Sequence, residues 1–449
     1  QNTSPWFQVM FILQNNKEPD LLLPGIKVSP LDLDGSVAKF ELTLSVEETE
    51  EGLVGDWEYN SDLFNRETIE QMATNFEQLL SELMKNAQSK IDQASLLSIN
   101  NQQQLLFLGI GSTVPDPLRP VHEWFEQQVV ESPNAAALTA SSNTWSYAQL
   151  NQRANQIARH LQSIGVGENH LVALCLERSP ELIAALLAVL KVGAAYLPMD
   201  PTYPAERLHQ MVEDAQVAAL VTNEASQAQR GFNVAQVVDI DDAAIQNQST
   251  ANLSQSVSLE QRAYVIFTSG STGRPKGTEL THRGLANFVQ QSTVQYGFGS
   301  DERVLQFASI SFDAAVEEIY LTLCSGGTLI LRDDEMIASS ETFCRVSAEQ
   351  QLSVWDLPTA FWHRLTQDIA QGLAELPPSL RIVIIGGEKV QPQIVQQWQQ
   401  ITKGRDVRLL NTHGPTEATV VATFYEVASD WQYVPGVDVP IGRPLGNVE

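Results

Sequence analysis

Three stretches of this sequence carry residue types whose spacing could do chemistry. The first is Tyr264-Val265-Ile266-Phe267-Thr268-Ser269-Gly270-Ser271-Thr272-Gly273-Arg274-Pro275-Lys276-Gly277, a short apolar strand that opens into glycines, hydroxyls and two cations. Glycine permits close backbone approaches, and successive N–H groups in such a turn form a concave donor surface for phosphate oxygens. Lys276 or Arg274 offsets negative charge. The spacing is not that of the P-loop, since a proline precedes the lysine and no Ser or Thr follows it. A polar surface loop is the bland alternative. The second stretch is Asn411-Thr412-His413-Gly414-Pro415-Thr416-Glu417. A carboxylate such as Glu417 beside a phosphate loop suits a Mg²⁺ ion that bridges phosphates; a helix cap at Thr416 with an acid in the first turn is the alternative. The third, Phe312-Asp313-Ala314-Ala315-Val316-Glu317-Glu318-Ile319-Tyr320, begins a helix. Asp313 at its start gains from the helix field, so a structural cap is the plain reading. Glu317, four residues on, shares its face, and two carboxylates facing one way hint at a positively charged ligand. The seven histidines are scattered, and no Ser-His-Asp or Cys-His arrangement with supporting turns is present. An acyl-enzyme mechanism is not expected.

These residues need elements to hold them. From Ala263 onward the rhythm is strand, polar loop, helix. Val304–Phe307, Thr328–Leu331, Leu352–Trp355, Ile382–Ile385 and Val407–Leu410 are short apolar strand candidates. Runs this apolar suggest strands covered on both faces, and ligand sites in such folds lie beyond the carboxyl ends of the strands. The strand ends at Thr268-Ser269-Gly270, Gly386-Gly387-Glu388 and Asn411–Glu417 should therefore converge on one cleft. Upstream, periodicity predicts helices with Val121, Trp124, Phe125 and Val129 on one side and from Tyr147 to Leu161, with Gly165 as a stop. Leu171–Leu176 and Ala218–Val221 read as strands. Ser179-Pro180 supplies a cap and a first-turn proline for a helix ending at Lys191-Val192-Gly193. Residues 222–260, rich in Gln, Asn, Ser and Ala, read only as surface-lying. Residues 96–118 have linker character, with Pro115 and Pro117 at their end. Before them, residues 1–95 offer two strand candidates (Phe7–Leu13 and Phe40–Val46) and an amphipathic helix through Ile69, Met72, Phe76, Leu79, Leu80 and Leu83. That is a poor self-sufficient core, as expected of the tail of a domain.

The 449 residues carry a formal charge of −27, with 43% apolar and only 18% charged residues. Repulsion from phosphate backbones and anionic lipids argues against nucleic acid or membrane as a partner. No apolar run is long enough to span a bilayer. Cys175, Cys324 and Cys344 are isolated, with neither a disulfide framework nor zinc spacing. They fit a reducing, cytoplasmic setting. The start Gln1-Asn2-Thr3-Ser4 has no initiator Met and no signal-peptide pattern, so a piece of a longer protein is expected.

Five motifs in order make the chain resemble the adenylation domain of a nonribosomal peptide synthetase, in the superfamily of acyl-CoA synthetases and luciferases. They are Trp145-Ser146-Tyr147-Ala148-Gln149-Leu150, Leu190-Lys191-Val192-Gly193-Ala194-Ala195-Tyr196-Leu197-Pro198-Met199-Asp200, the loop at 264–277, Phe312-Asp313-Ala314-Ala315, and 411–417. The first segment is similar to the end of a condensation domain, at Phe7-Gln8-Val9-Met10-Phe11-Ile12-Leu13-Gln14-Asn15 and Tyr59-Asn60-Ser61-Asp62-Leu63-Phe64, without the catalytic double-histidine motif. The resemblance implies an α/β adenylate-forming (ANL-superfamily) core of layered β-sheets flanked by helices. A short α+β condensation-domain remnant would precede it. It divides the chain into 1–95, a linker at 96–118, and a core at 119–449 that ends before the hinge, the ribose-binding aspartate and the mobile C-terminal lobe. That lobe carries the lysine that contacts the transferring carboxylate, so Lys276 is not its counterpart. The stretch alone is expected to adenylate slowly and not to thiolate.

The implied chemistry is attack of an amino-acid carboxylate on the α-phosphorus of Mg·ATP, release of pyrophosphate, and capture of the aminoacyl-adenylate by the phosphopantetheine thiol of a separate carrier domain. By resemblance, Thr268, Ser269, Gly270, Ser271, Thr272, Gly273 and Lys276 surround the phosphates, with Thr268, Lys276 and Glu417 in catalytic roles. Glu417 is the Mg²⁺ carboxylate and Thr416 lies near the α-phosphate. Gly387, Asn411, His413 and Gly414 border the nucleotide, His413 standing where the family has a stacking tyrosine. Asp313 pairs with the substrate α-ammonium. The side-chain pocket falls on Asp313, Ala314, Glu317, Asp356, Ile384, Gly386, Thr412, Val420 and Val421. Glu317 and Asp356 are two further acids, and a buried carboxylate is costly unless paired. A lysine-, ornithine- or arginine-like substrate follows, with a neutral amino acid as the alternative. An acyl-CoA-type ligase, whose substrate has no α-ammonium, would not need Asp313. A non-enzymatic interaction module would not bind ATP.

Overall fold

The computed structural model describes residues 7–15, 38–49, 52–85, 88, 90, 93–114, 117–141, 143–223, 231–268, 275–434 and 436–449. The chain divides into two compact units, Gln1–Leu108 and Gly109–Glu449.

In the first unit, β1 (Val9–Gln14) runs parallel to β2 (Leu42–Thr49), which pairs antiparallel with β3 (Gly52–Tyr59). The helix α1 (Arg66–Lys85) covers one face, where Leu42, Leu44, Val46 and Ile69 are buried. Phe76 of α1 meets Phe11 and Trp57 at ring separations of 6.4 and 6.2 Å. The third strand departs from the two-strand expectation. Only Trp57 and Tyr59 of β3 are even half-buried, so it shows no apolar alternation. A further helix, α2 (Ile99–Leu108), occupies much of the stretch expected as linker.

The second unit is layered. Its elements continue as α3 (Val121–Glu131), β4 (Ala136–Ala140), β5 (Asn143–Ser146), α4 (Tyr147–Ser163), β6 (Leu171–Cys175), α5 (Pro180–Lys191), β7 (Ala195–Pro198), α6 (Ala205–Ala215), β8 (Ala219–Thr222), β9 (Val237–Asp239) and α7 (Ala243–Gln246). Then follow β10 (Arg262–Thr268), β11 (Lys276–Thr281), α8 (His282–Tyr296), β12 (Arg303–Gln306), α9 (Ala314–Ser325), β13 (Thr328–Leu331), α10 (Ser340–Glu349), β14 (Val354–Pro358), α11 (Thr359–Ala370), β15 (Ile382–Gly386), α12 (Pro392–Ile401), β16 (Arg408–His413), β17 (Thr423–Val427) and β18 (Arg443–Pro444). One sheet has the order β11-β10-β7-β6-β8-β9, the other β18-β17-β16-β15-β14-β12-β13-β4-β5. Their central strands are parallel, and antiparallel pairs sit at the edges.

The main core lies between the sheets. It joins Val172, Leu174, Tyr196 and Val221 of one to Val304, Val354, Ile384 and Leu410 of the other. The helix α5 is buried along its whole length, which its sequence PELIAALLAVLK allows by being apolar all round. Ser179 caps it by accepting from the Leu182 N–H at 3.2 Å, with Pro180 in the first turn. Two outer cores complete the layering: Trp355, Trp362 and Trp398 anchor one beneath α11 and α12, and Leu208 and Met211 of α6 the other. One feature differs from the strand-loop-helix rhythm. β10 pairs antiparallel with β11, the next strand in the chain, with Thr268 opposite Lys276. Among the described residues, no helix is long and apolar enough to cross a membrane, and the three cysteines are free thiols.

Candidate active site

The loops singled out by their chemistry lie at the ends of β10, β12, β15 and β16. Ser269, Gly270, Ser271, Thr272 and Gly273 fall outside the described residues. Their flanks do not: Thr268 ends β10 half-buried, and Lys276 stands exposed at the start of β11. β11 packs against a 3₁₀ turn at Thr416–Ala418, the turn that carries Glu417. Gly284, in the first turn of α8, faces the next residue of that segment, and a Cβ added there would stand 2.7 Å from Thr419 Oγ1. The β10–β11 hairpin and the 411–417 loop are therefore neighbours.

Asp313 joins them. It precedes α9 but makes no side-chain capping bond, so the plain cap reading is not realised. Its carboxyl is held above the usual range by burial, with Glu417 adding to the rise, while the Thr416 hydroxyl lies against it and favours the charged form. The Tyr264 phenol of β10, stacked on Tyr196 at 5.5 Å, also senses the charge of Asp313. The cap expected at Thr416 is absent as well, because Pro415 occupies the cap position of the 3₁₀ turn and no side chain caps it.

The segment leading into Asp313 is fixed by groups that sequence reasoning missed. Glu318, buried in α9, accepts the backbone N–H groups of Phe307 and Ala308 at 3.0 and 2.9 Å and the Gln306 amide at 2.8 Å. Arg178 donates to the carbonyls of the same two residues at 3.2 and 2.9 Å. The backbone N–H of Asp200 donates to Ser311 Oγ at 3.1 Å, and Ser309 Oγ donates to its carboxylate at 2.5 Å. The motif ending in Asp200 thus braces the strand end that presents Asp313. No local pattern could have announced this, since the partners are far apart in sequence.

Several residues expected to line a side-chain pocket gather on one face of three parallel strands. Asp356 of β14 pairs with Ile384 of β15, which pairs with Leu410 of β16. Two residues further along each strand the same face carries Gly386 and Thr412. Thr412 Oγ1 donates to the Ile385 carbonyl at 3.1 Å, and a Cβ on Gly386 would meet Thr412 Oγ1 at 2.8 Å. Ala314 and Glu317 approach from α9, Glu317 only 3% and Asp356 only 8% exposed. Burial, then the charges of Glu318 and Asp313, push the Glu317 carboxyl up to about 8. Burial and the facing Glu317 raise Asp356 well above the carboxylate range. Among the described residues, neither Glu317 Oε1 nor Asp356 Oδ2 has a hydrogen-bond partner. Val420 and Val421 close the face from the 414–422 turn, both buried, and Thr419 and Val420 hold φ of 61° and 69°. Such values are strained for β-branched residues and concentrate at binding sites.

Of the residues expected to border a nucleotide, Gly387 is exposed with φ of 85°, and His413 is exposed at the end of β16. Asn411 is buried and its amide donates to the Pro440 carbonyl at 2.8 Å, so its side chain already serves the fold. Gly414 leaves no room for a side chain: a Cβ would sit 2.5 Å from the Val420 carbonyl oxygen and 2.7 Å from the Ala422 nitrogen. Glu417 is exposed on its turn. No group of three or more His, Cys, Asp or Glu suited to a metal exists among the described residues. A lone exposed carboxylate beside a phosphate-type loop fits a Mg²⁺ held mainly by phosphates and water, and does not fit an all-protein cage.

Two family models cover nearly the whole chain: residues 125–449 match the AMP-binding enzyme family and residues 1–106 the condensation domain. The chain belongs to the AMP-binding enzyme family. Within that family it is 43% identical over 339 residues to the isonitrile lipopeptide synthase of Streptomyces coeruleorubidus, a match covering 75% of this chain and 23% of that protein. With tyrocidine synthase 3 of Brevibacillus parabrevis it shares 34% identity over 461 residues, 99% of this chain and 7% of the relative. This AMP-binding chain thus spans less than a quarter of the length of either relative. Among solved structures, the AMPPNP-bound form of the nonribosomal peptide synthetase FmoA3 superposes with a TM-score of 0.81 at 22% identity, over 98% of this chain and 47% of that one. The N-terminal subdomain of Klebsiella oxytoca NpsA, in complex with 3-hydroxybenzoyl-AMSN, gives 0.63 at 24% identity over 73% and 79%. Both share the layered adenylate-forming fold.

Proposed function

We propose that this AMP-binding chain activates a basic amino acid with Mg·ATP, for loading onto a peptidyl carrier in nonribosomal peptide synthesis. In this reading residues 1–95 are the end of a condensation domain, 96–118 connect it, and 119–449 form the adenylating core. A substrate carboxylate oxygen attacks the α-phosphorus, a P–O bond forms to give the aminoacyl-adenylate, and the bond to pyrophosphate breaks. The chemistry is positioning and electrostatics. Asp313 takes the α-ammonium and so aims the carboxylate. Thr268, Lys276 and the hairpin loop hold the phosphates, and Thr416 lies toward the α-phosphate. Glu417 is the residue that would hold Mg²⁺, which offsets phosphate charge. Gly387, His413 and Gly414 border the nucleotide, with Asn411 shaping that edge.

The observation that carries the basic substrate is the pair of buried carboxyls, Glu317 and Asp356, each with an oxygen that lacks a partner. A lysine-, ornithine- or arginine-like side chain brings both the charge and the N–H donors that this pair lacks. The test is amino-acid-dependent pyrophosphate exchange with lysine, ornithine, arginine, glutamine and leucine. One of the three basic amino acids should give the highest rate, and a best rate with leucine or glutamine refutes the assignment. Asp313→Ala should raise the amino-acid KM about 10- to 100-fold, the scale of one charged hydrogen bond, while ATP binding persists. Unchanged carboxylate activation in that variant would instead mark a ligase for acids without an amino group.

A further inference from the structure

Behind the carboxyl pair lies a third group that no reading of the pocket uses. Tyr296 is the last residue of α8, stopped there by Gly297 with φ of 68°. Its ring is buried, 6.1 Å from each of Phe298 and Phe424, and Arg408 grips its carbonyl oxygen. Held this way, its hydroxyl faces the Glu317 carboxyl, with Asp356 and Ser292 also close. Four buried polar atoms, Ser292 Oγ, Tyr296 Oη, Glu317 Oε1 and Asp356 Oδ2, have no hydrogen-bond partner among the described residues, and the Tyr296 phenol senses the other three groups. Unpartnered buried polar groups are rare in native interiors, and four in one place mark a site built for something absent.

We propose that Tyr296, with Ser292 one turn behind it, is a specificity-determining positioning residue for a cationic substrate side chain. This rests on the basic-substrate reading above and extends it to a residue of α8. In the empty pocket Glu317 carries a proton. When the cationic side chain enters, that proton leaves to solvent and the new carboxylate accepts from the ligand's N–H groups. The Tyr296 O–H donates to the same carboxylate, and the Ser292 hydroxyl donates to Tyr296 Oη. The ionisable groups acting on the Glu317–Asp356 pair are Asp313 and Glu318 from the α9 side and Tyr296 from α8. The others are carboxyls, whose charge would repel the new carboxylate, whereas the neutral phenol donates to it.

Tyr296→Phe removes one oxygen and leaves the ring in place. The probes are the non-hydrolysable lysyl and glutaminyl sulfamoyl adenylates, titrated calorimetrically into the intact protein from pH 6 to 9. Wild type should prefer the lysyl probe, more strongly as pH rises. The variant should bind the lysyl probe about tenfold more weakly at pH 7, the scale of one hydrogen bond to a charge. Its pH curve should move upward, while glutaminyl binding and the melting temperature hold or improve. Ser292→Ala should shift the lysyl curve in the same direction by less. If wild type prefers the lysyl probe and Tyr296→Phe reproduces its affinity and pH curve, Tyr296 has no such role and the basic-substrate reading stands. An equal loss for both probes reduces Tyr296 to a packing residue. If wild type shows no lysyl preference, the substrate reading falls first and takes this proposal with it.

Discussion

Glu317 carries a conflict between the empty protein and its proposed ligand. Its folded-state proton affinity, about 8 against an ordinary 4.5, means that the folded protein holds a proton that the unfolded chain has already released near neutrality. Below pH 4.5 both states are protonated, and the residue costs nothing electrostatically. As pH rises from there to 8 the unfolded state is increasingly favoured, and above 8 the full penalty is present. The shift corresponds to a few kcal/mol at most. Glu317→Gln should therefore raise the melting temperature of the ligand-free protein at pH 8 and leave it nearly unchanged at pH 4.5. Thermal unfolding across that range checks this, and equal gains at both ends would show that the carboxyl is not the source. The same variant should lose its preference for basic amino acids, so stability and selectivity should move in opposite directions.

At the scale of elements, the 414–422 turn is a part that tolerates little change. Gly414 is surrounded by backbone, with Val420 O, Ala422 N and Val421 Cα all within 2.8 Å of where a Cβ would stand. Backbone cannot step aside as a flexible side chain can. Gly414→Ala should displace the strained Thr419 and Val420, destabilise the protein by about 2 kcal/mol or more, and impair adenylation beyond what the melting shift explains. Circular dichroism melts beside exchange rates at a permissive temperature separate the two effects. This turn also shows where sequence legibility ended. The parallel strands could be read because runs such as Ile382–Ile385 are apolar on both faces, and the α5 cap because Ser179-Pro180 is a local signal. β11 could not, since Lys276-Gly277-Thr278-Glu279-Leu280-Thr281 buries only Leu280. Asp313, Thr416 and Glu417 were visible within two motifs, although both motifs were open to a capping explanation that the geometry does not realise. Tyr296, Glu318 and Arg178 gave no sign at all, because each acts on a partner that only the tertiary fold brings near.

For the whole molecule, two sets of buried groups set opposing limits on stability. His122 of α3 and His282 of α8 meet edge to face, with centroids 6.0 Å apart, and both are buried. Burial lowers His282 to about 4, and burial together with the charges of His282 and Lys191 holds His122 well below 6.5. Both groups are neutral in the folded state near pH 6, whereas the unfolded chain takes up their protons as pH falls below 6.5. Their contribution is therefore complete above 6.5 and lost on the way down to 4. The acids act in reverse, since Glu317 favours the folded state progressively as pH falls from 8 to 4.5. Falling pH also eases the repulsion implied by a formal charge of −27. These effects offset one another between about 4.5 and 6.5, so the melting temperature should form a plateau there and fall on both sides. The acid limb is the diagnostic one, because only the histidines pull stability down with falling pH in this set. His282 has no hydrogen-bond partner at either ring nitrogen among the described residues, so an apolar replacement forfeits no bond. His282→Leu should leave the melting temperature at pH 7.5 within a few degrees of wild type and raise it relative to wild type at pH 4, where the variant's unfolding free energy should exceed that of wild type by on the order of 3 kcal/mol. An acid limb as steep in the variant as in wild type would place the acid sensitivity elsewhere, in surface ion pairs such as Arg408–Glu426.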